Sequence, residues 1–168
     1  MNLKPKISLI PVIELAPSDF SKIDRTSPSK SHSESPEEWF EYNQKCYVDA
    51  GLTDIKPISQ ASWLVKLEDL SDDNLKIVLK QLYDSTVEGF DSIEEIINEP
   101  DEYAPFISGG YLFVVDGVIK SEPGCCSGLE TIRDWEDALE YETKTEVWTG
   151  HDKEGIVHME AEYSQMCG

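Results

Sequence analysis

The strongest constraint on the fold is the run Gly110–Val115 (GYLFVV), followed by Asp116-Gly117 and then Val118-Ile119. Aromatic and β-branched side chains of this kind suit a pleated, half-buried surface. Asp-Gly between two such runs marks a two-residue hairpin turn, because that turn needs positive φ at its centre. The two strands of a hairpin are antiparallel. The sheet to which this unit belongs is therefore expected to be mainly antiparallel.

Three segments show helical spacing. In the first, Ser35 is placed to cap, and Pro36 occupies the first helical position, where its missing N–H costs nothing. Glu37 and Glu38 favour the positive end of the helix dipole. Trp39, Tyr42 or Asn43, Cys46 and Ala50 share a face, and Gly51 closes the helix. Cys46 then reads as a small core residue. The second helix begins after Ser71 or Asp72 and carries Leu75, Val78, Leu79 and Leu82 as an apolar stripe. The third covers roughly residues 130–141. Its inward side is Ile132, Trp135, Ala138 and Leu139, and its outward side is Arg133, Asp134, Glu136, Asp137 and Glu140. Ser127 with Glu130, or Thr131 with Asp134, offers it a capping box or the Asp variant. A shorter helix over residues 92–98 stops before Pro100.

Further strands are expected at residues 3–15, Ser62–Leu67, Thr145–Thr149 and Ile156–Tyr163. Pro11 assigns the first to a sheet edge, since proline cannot donate to a central ladder. The order of elements predicts an α+β fold, a mainly antiparallel sheet with about three main helices packed on one face. Residues 24–36 (DRTSPSKSHSESP) hold no large apolar side chain and read as a loop or mobile segment, with His32 in solvent. That segment lies too near the N-terminus to separate two domains, so residues 1–168 are expected to form one.

The net charge is −20, from 14 basic and 34 acidic residues. It is unevenly placed. Residues 1–60 hold 9 acidic and 7 basic residues, a net of −2, whereas residues 61–168 hold 25 and 7, a net of −18. Such a field repels nucleic-acid phosphates and anionic membranes and suits a basic partner. The plainer alternative is that the acidity serves solubility alone. No run approaches the ~20 apolar residues that span a bilayer. Ile7–Leu15, interrupted by Pro11 and Glu14, does not resemble a signal-peptide core, so a cytoplasmic protein with reduced thiols is expected.

The turn Pro123–Gly128 (PGCCSG) is the most distinctive local motif. A thiol at a helix N-terminus gains nucleophilicity from the N–H groups and dipole, and His151 or His158 would supply a base to Cys126. Cys125, Cys126, His151 and His158 also offer ligand types that suit zinc. Against both stand the adjacency of the cysteines, which tends to point them apart, and the absence of Cys-x-x-Cys spacing. Seven acidic residues between Glu130 and Glu146 would also oppose thiol ionisation. On the plainer reading, Gly124 and Gly128 shape a tight turn and the thiols pack as small apolar groups. Carboxylate pairs such as Asp137 with Glu140, or Glu160 with Glu162, are too numerous for one pair to mark acid–base catalysis. Phosphate-loop, dinucleotide, zinc-helix and nucleophile-elbow motifs are absent from the sequence.

The segment GGYLFVVDGVIKSEPGCCSGLETIRDWEDAL (residues 109–139) has an apolar strand, a return strand, a Pro-x-Cys-Cys turn and a helix with a central Trp. In these features it resembles small bacterial immunity-type proteins, including members loosely grouped with the SUKH superfamily. The resemblance implies an α+β domain without an active site that neutralises a toxin by direct binding. The leading expectation is thus a non-enzymatic acidic domain that needs no cofactor and binds a basic protein, a toxin in its most concrete version. Its contact residues would be Asp134, Glu136, Asp137, Glu140, Glu160 and Glu162. The alternatives are an enzyme or metal site on Cys125, Cys126, His151 and His158, and a structural or scaffold domain.

Overall fold

Asp116 and Gly117 both adopt positive φ, 51° and 79°, in the computed structural model of the chain. That is the two-residue turn the Asp-Gly pair predicts, and its twist matches the strands it joins. The structure describes residues 5–60, 62–86, 107–124, 127–140, 147 and 149, with backbone alone for 82–86, 139 and 140. The chain runs β1 (Ile7–Glu14), α1 (Pro17–Phe20), α2 (Pro36–Ala50), β2 (Leu64–Lys66), α3 (Asp72–Thr86), β3 (Gly109–Val115), β4 (Val118–Ser121) and α4 (Ile132–Glu140). The fold is α+β, and its strands form one four-stranded sheet in the order β2-β1-β3-β4. Chain contacts group into two compact units, Met1–Val12 with Ser108–Gly168, and Ile13–Ile107.

In the first unit, β3 and β4 pair antiparallel, Val115 opposite Val118 and Val114 opposite Ile119, with an irregular step between Phe113 and Val114. Lys6 extends the pairing beside the turn: its N–H donates to Asp116 Oδ1 at 2.8 Å, and Asp116 N–H donates to Lys6 O at 2.8 Å. Alternation along β3 brings Tyr111, Phe113 and Val115 to one face. Trp135 of α4, 1% exposed, stacks on Phe113 with ring centroids 5.4 Å apart. Ala138 and Val147 complete that cluster, with Leu9, Tyr111 and Val115 packed against it. The spacing of Trp135 and Ala138 is the inward stripe expected of α4, and Arg133, Asp134, Glu136 and Asp137 are exposed as expected.

The expected capping box does not form. Gly128 stands at the N-cap of a 3-10 turn, Leu129–Thr131, that leads into α4, and no side chain caps it. Thr131 Oγ1 instead donates to Gly128 O at 2.8 Å.

In the second unit, Pro36 opens α2 as predicted, and Gly51 ends it at φ 86° with its N–H shared by Tyr47 O and Val48 O. Asn43, Cys46, Tyr47 and Ala50 are buried, so Asn43 and not Tyr42 belongs to the core face. Cys46 is a free, buried thiol. Tyr47 donates to Leu15 O at 2.8 Å, and burial pushes its hydroxyl well above the usual tyrosine range. Ser71 Oγ accepts from Asn74 N–H at 3.2 Å and so caps α3. The expected stripe on α3 is rotated: Asn74 and Val78 are buried and Leu79 is 45% exposed. The cause is Asn74, whose amide grips Thr53 from both sides, accepting from its N–H at 3.2 Å and donating to its C=O at 2.8 Å. These two bonds fix which side of α3 turns inward.

β1 is an inner strand, which corrects the edge placement read from Pro11. Lys6 bonds towards β3 and Leu15 N–H donates to Trp63 O, just before β2. Even-numbered residues of β1 therefore bond towards β3 and odd-numbered ones towards β2. Pro11 is odd, and an antiparallel count back from Leu15 and Trp63 puts it beyond Lys66, where β2 ends. Its missing N–H faces a side on which no strand residue waits. The 92–98 helix and the Ile156–Tyr163 strand lie outside the described residues, as does most of Thr145–Thr149.

Trp135→Ala removes the largest side chain of its cluster and is expected to lower the unfolding free energy by about 3–5 kcal/mol. Gly117→Ala, whose new Cβ would meet nothing within 4 Å, is expected to cost only the backbone penalty of about 1 kcal/mol. Urea denaturation of both variants checks the pair of values, and their order in particular.

Candidate acidic surface and the pinned cysteine turn

Two features singled out in the sequence meet in the first unit: the Pro123–Gly128 turn and the outward face of α4. The turn is held at both ends. Gly109 N–H donates to Ser127 O at 2.9 Å, Ser108 and Gly128 form an isolated antiparallel bridge, and Gly124 N–H donates to Thr149 O. Pro123 and Ser127 are buried. Both crowd Gly110, where an added Cβ would stand 2.8 Å from Ser127 Oγ and 2.9 Å from Pro123 Cβ. Gly110 is at φ 137°, so strain and crowding act together at this position. The thiols of Cys125 and Cys126 lie outside the described residues, as do His151 and His158. Among the described residues, no group of three or more His, Cys, Asp or Glu could hold a metal ion.

On α4, Asp134, Glu136 and Asp137 are all exposed. None of them is ion-paired with another described residue; the ion pairs there are Arg25–Asp49, Lys45–Glu41, Lys66–Glu68 and Lys76–Asp73. The side chain of Glu140 and the residues Glu160 and Glu162 lie outside the described set. The carboxylates of α4 extend their field onto the sheet. Tyr111 of β3 donates to Leu129 O at 3.1 Å. Burial raises the pKa of its hydroxyl first, and the negative charges of Glu136 and Glu130 raise it further. A second anion near those carboxylates is disfavoured, and a cation is favoured by the same charges. Glu130, absent from the sequence-derived contact set, belongs to this surface. No helical spacing in the sequence marks it, since it lies in the 3-10 turn before α4 and six residues before Glu136.

In the second unit, residues 21–35 have no α-helix or strand, as the Ser/Pro composition predicts. They are nevertheless tied to α2. Arg25 meets Asp49 with two nitrogens, Nε to Oδ2 and Nη2 to Oδ1, and Ser21 Oγ donates to Asp49 Oδ2 at 3.2 Å. Trp39 Nε1 donates to Lys30 O at 2.8 Å. Ser31 and Glu34 form a local box: the carboxylate accepts from Ser31 N–H at 3.1 Å and from its Oγ at 2.7 Å. The capping chemistry expected of Ser35 is thus one turn earlier, in the pattern Ser-x-x-Glu, while Ser35 makes no side-chain cap.

His32 is not in solvent, contrary to the sequence expectation. Its ring stacks on Trp39 at 4.4 Å and lies edge-on to Trp63 at 6.3 Å. Both ring nitrogens are buried and have no hydrogen-bond partner. The physical reason is the Ser31–Glu34 box, which turns the backbone so that position 32 faces α2. Composition alone carried no sign of this. Stacking contributes about 0.5–1.5 kcal/mol, and an unpaired buried polar atom costs about 1–3 kcal/mol. The cluster is therefore held by its surroundings and not by the histidine alone.

No protein-family model, curated protein or solved structure matches this chain. Among the described residues no helix is long and apolar enough to cross a membrane.

Gly110→Ala is expected to destabilise the protein more than Gly117→Ala, since it adds a clash with Ser127 and Pro123 to a similar backbone strain. Equal effects in urea denaturation would show that the turn yields at no cost. A second expectation concerns Asp49. Its hydrogen bonds with Arg25, chiefly, hold its pKa below the usual carboxylate value. Such a group contributes stability above its unfolded pKa and loses it as pH falls through the folded one. Amide exchange of residues 21–30 should thus speed up in acid, after correction for intrinsic rates. Asp49→Asn should show the faster exchange already at neutral pH.

Proposed function

We propose that this chain is a non-enzymatic, acidic protein-binding domain whose α4 surface engages a basic protein, and that it acts in the cytoplasm. The single observation that carries the reading is the row of exposed carboxylates Asp134, Glu136 and Asp137, none ion-paired within the described residues, of which Glu136 acts with Glu130 on the Tyr111 hydroxyl. A solvated acidic face placed for solubility alone would not need a rigid base. This one is anchored by Trp135 on Phe113, so the helix that carries its charges is held in place, which lowers the entropy lost on binding. The charge of −18 in residues 61–168 adds long-range attraction for a cation-rich partner. A toxin neutralised by direct contact is the most concrete partner of this chemistry, in keeping with the resemblance of residues 109–139 to immunity-type proteins.

An interaction screen with the full chain is expected to recover a basic protein. Raising ionic strength from 50 to 500 mM should weaken the complex steeply, as screening shortens the reach of the charges. The triple substitution Asp134→Asn, Glu136→Gln and Asp137→Asn should slow association by about tenfold or more while leaving the fold intact, because all three side chains are exposed. Binding that ignores salt, or a neutralised variant that associates at the wild-type rate, would sink the reading.

A further inference from the structure

The sheet face on which α4 lies is not covered from end to end. Tyr111 donates to Leu129 O just before α4, and Trp135 of α4 stacks on Phe113, so the helix starts at the Tyr111 end of β3. At the other end, beside the Asp116-Gly117 turn, three apolar side chains form a row. Lys6 lies opposite Asp116. An antiparallel count from that pair sets Ile7 opposite Val115 and Leu9 opposite Phe113. Leu9 packs against the Phe113–Trp135 cluster, as the count requires, and Ile7 shares its face by alternation. Val118 of β4 lies opposite Val115. Ile7, Val115 and Val118 thus stand side by side on β1, β3 and β4. Ile7 is 43% exposed and Val118 53% exposed, with Val115 half-buried between them.

We propose that this row is the apolar anchor of the acidic surface. Its occupant is a cationic segment of a basic protein, which sets short aliphatic side chains on Ile7, Val115 and Val118 and turns its lysines or arginines to the carboxylates of α4. The inference rests on the reading of α4 as a surface for a basic partner, and it names what else that partner must carry.

One exposed valine is ordinary, but neighbouring strands are about 4.8 Å apart, so a row across three of them is continuous. It begins two residues along β3 from Phe113, the residue on which α4 rests, a step of about 7 Å. The row and α4 belong to one compact unit. Charges and apolar row are therefore within reach of one short segment. Exposed carboxylates speed encounter and add little to the hold, because water screens them. Apolar contact that excludes water supplies the hold. A second copy of this chain is disfavoured as occupant, since each copy carries a net charge of −20.

The test uses the full chain and two heptapeptides of equal charge. One has three valines between two pairs of lysines, and the other has serines in place of the valines. Binding is measured by NMR titration at low ionic strength. The valine peptide should bind about tenfold tighter, which corresponds to burying roughly one valine side chain. It should also shift the methyl signals of Ile7 and Val118 more than the serine peptide does. In the double variant Ile7→Thr, Val118→Thr the advantage should disappear while the serine peptide binds as before. Both positions are exposed and threonine suits a strand, so the fold is expected to hold. Equal affinity of the two peptides for the wild type overturns the anchor and leaves the acidic surface standing. A valine advantage that persists in the double variant overturns it as well. If neither peptide binds, the acidic surface and its anchor fall together. The anchor also falls if sedimentation shows a wild-type dimer that the double variant dissociates, since the row then belongs to a second copy.

Discussion

The hydrogen-bonding alternation of β1 is the constraint on which the sheet depends. A strand presents backbone groups to its two sides in turn, so a strand with neighbours on both sides must give each the right parity. Lys6 serves the Asp116 turn with both its N–H and its C=O, and Leu15 serves Trp63. Pro11 lies between them on the side that β2 does not reach. Moving the proline by one position would place its missing N–H towards β3, a ladder that needs the donor. The position of the proline is thus compatible with β1 as an inner strand. Tyr47 adds a second hold at the C-terminal end of β1 through the carbonyl of Leu15, and its burial makes that bond hard to replace with water.

The same logic of satisfied groups organises the hairpin side. Asp116 fills a turn position that needs positive φ and offers its carboxylate to Lys6 N–H, so one side chain serves two elements. Gly110 lets β3 pass close to Pro123 and Ser127, and the turn between those residues is pinned to β3 on one side and to Thr149 on the other. α4 follows from this fixed turn. Its Trp135 is buried against Phe113, and its carboxylates consequently occupy defined positions on the outside. The proposed binding surface is a product of core packing: the stack decides where the charges stand.

Much of this was legible in the chain of residues. The hairpin, the start and end of α2, the cap at Ser71 and the inward Trp135 and Ala138 of α4 all follow from local signals, a turn dipeptide, a proline, a glycine or a 3.6-residue stripe. The exposure of Asp134, Glu136 and Asp137 follows from the same stripe. Less legible were features in which a polar side chain outranks an apolar one. Asn74 turns α3 so that Leu79 is exposed, because two bonds to Thr53 outweigh one buried leucine. Ser31 and Glu34 fold a polar segment back on α2 and carry His32 into an aromatic stack, although no apolar residue of that segment predicted docking. Glu130 was read as a capping group and stands instead with the acidic surface.

The sequence by itself determined the class of the fold, the antiparallel hairpin, the helix boundaries set by Pro36 and Gly51, and the concentration of negative charge after residue 60. These depend on backbone preferences and on counting, which need no partner across the chain. Tertiary structure alone decided that β1 is an inner strand, which face of α3 is buried, and that residues 21–35 are tied down through Asp49, Trp39 and the Ser31–Glu34 box. It also decided that Glu130 and Glu136 act on Tyr111. Each of these rests on contacts between residues far apart in sequence, where the winner is set by distance and burial, quantities that a one-dimensional pattern does not contain.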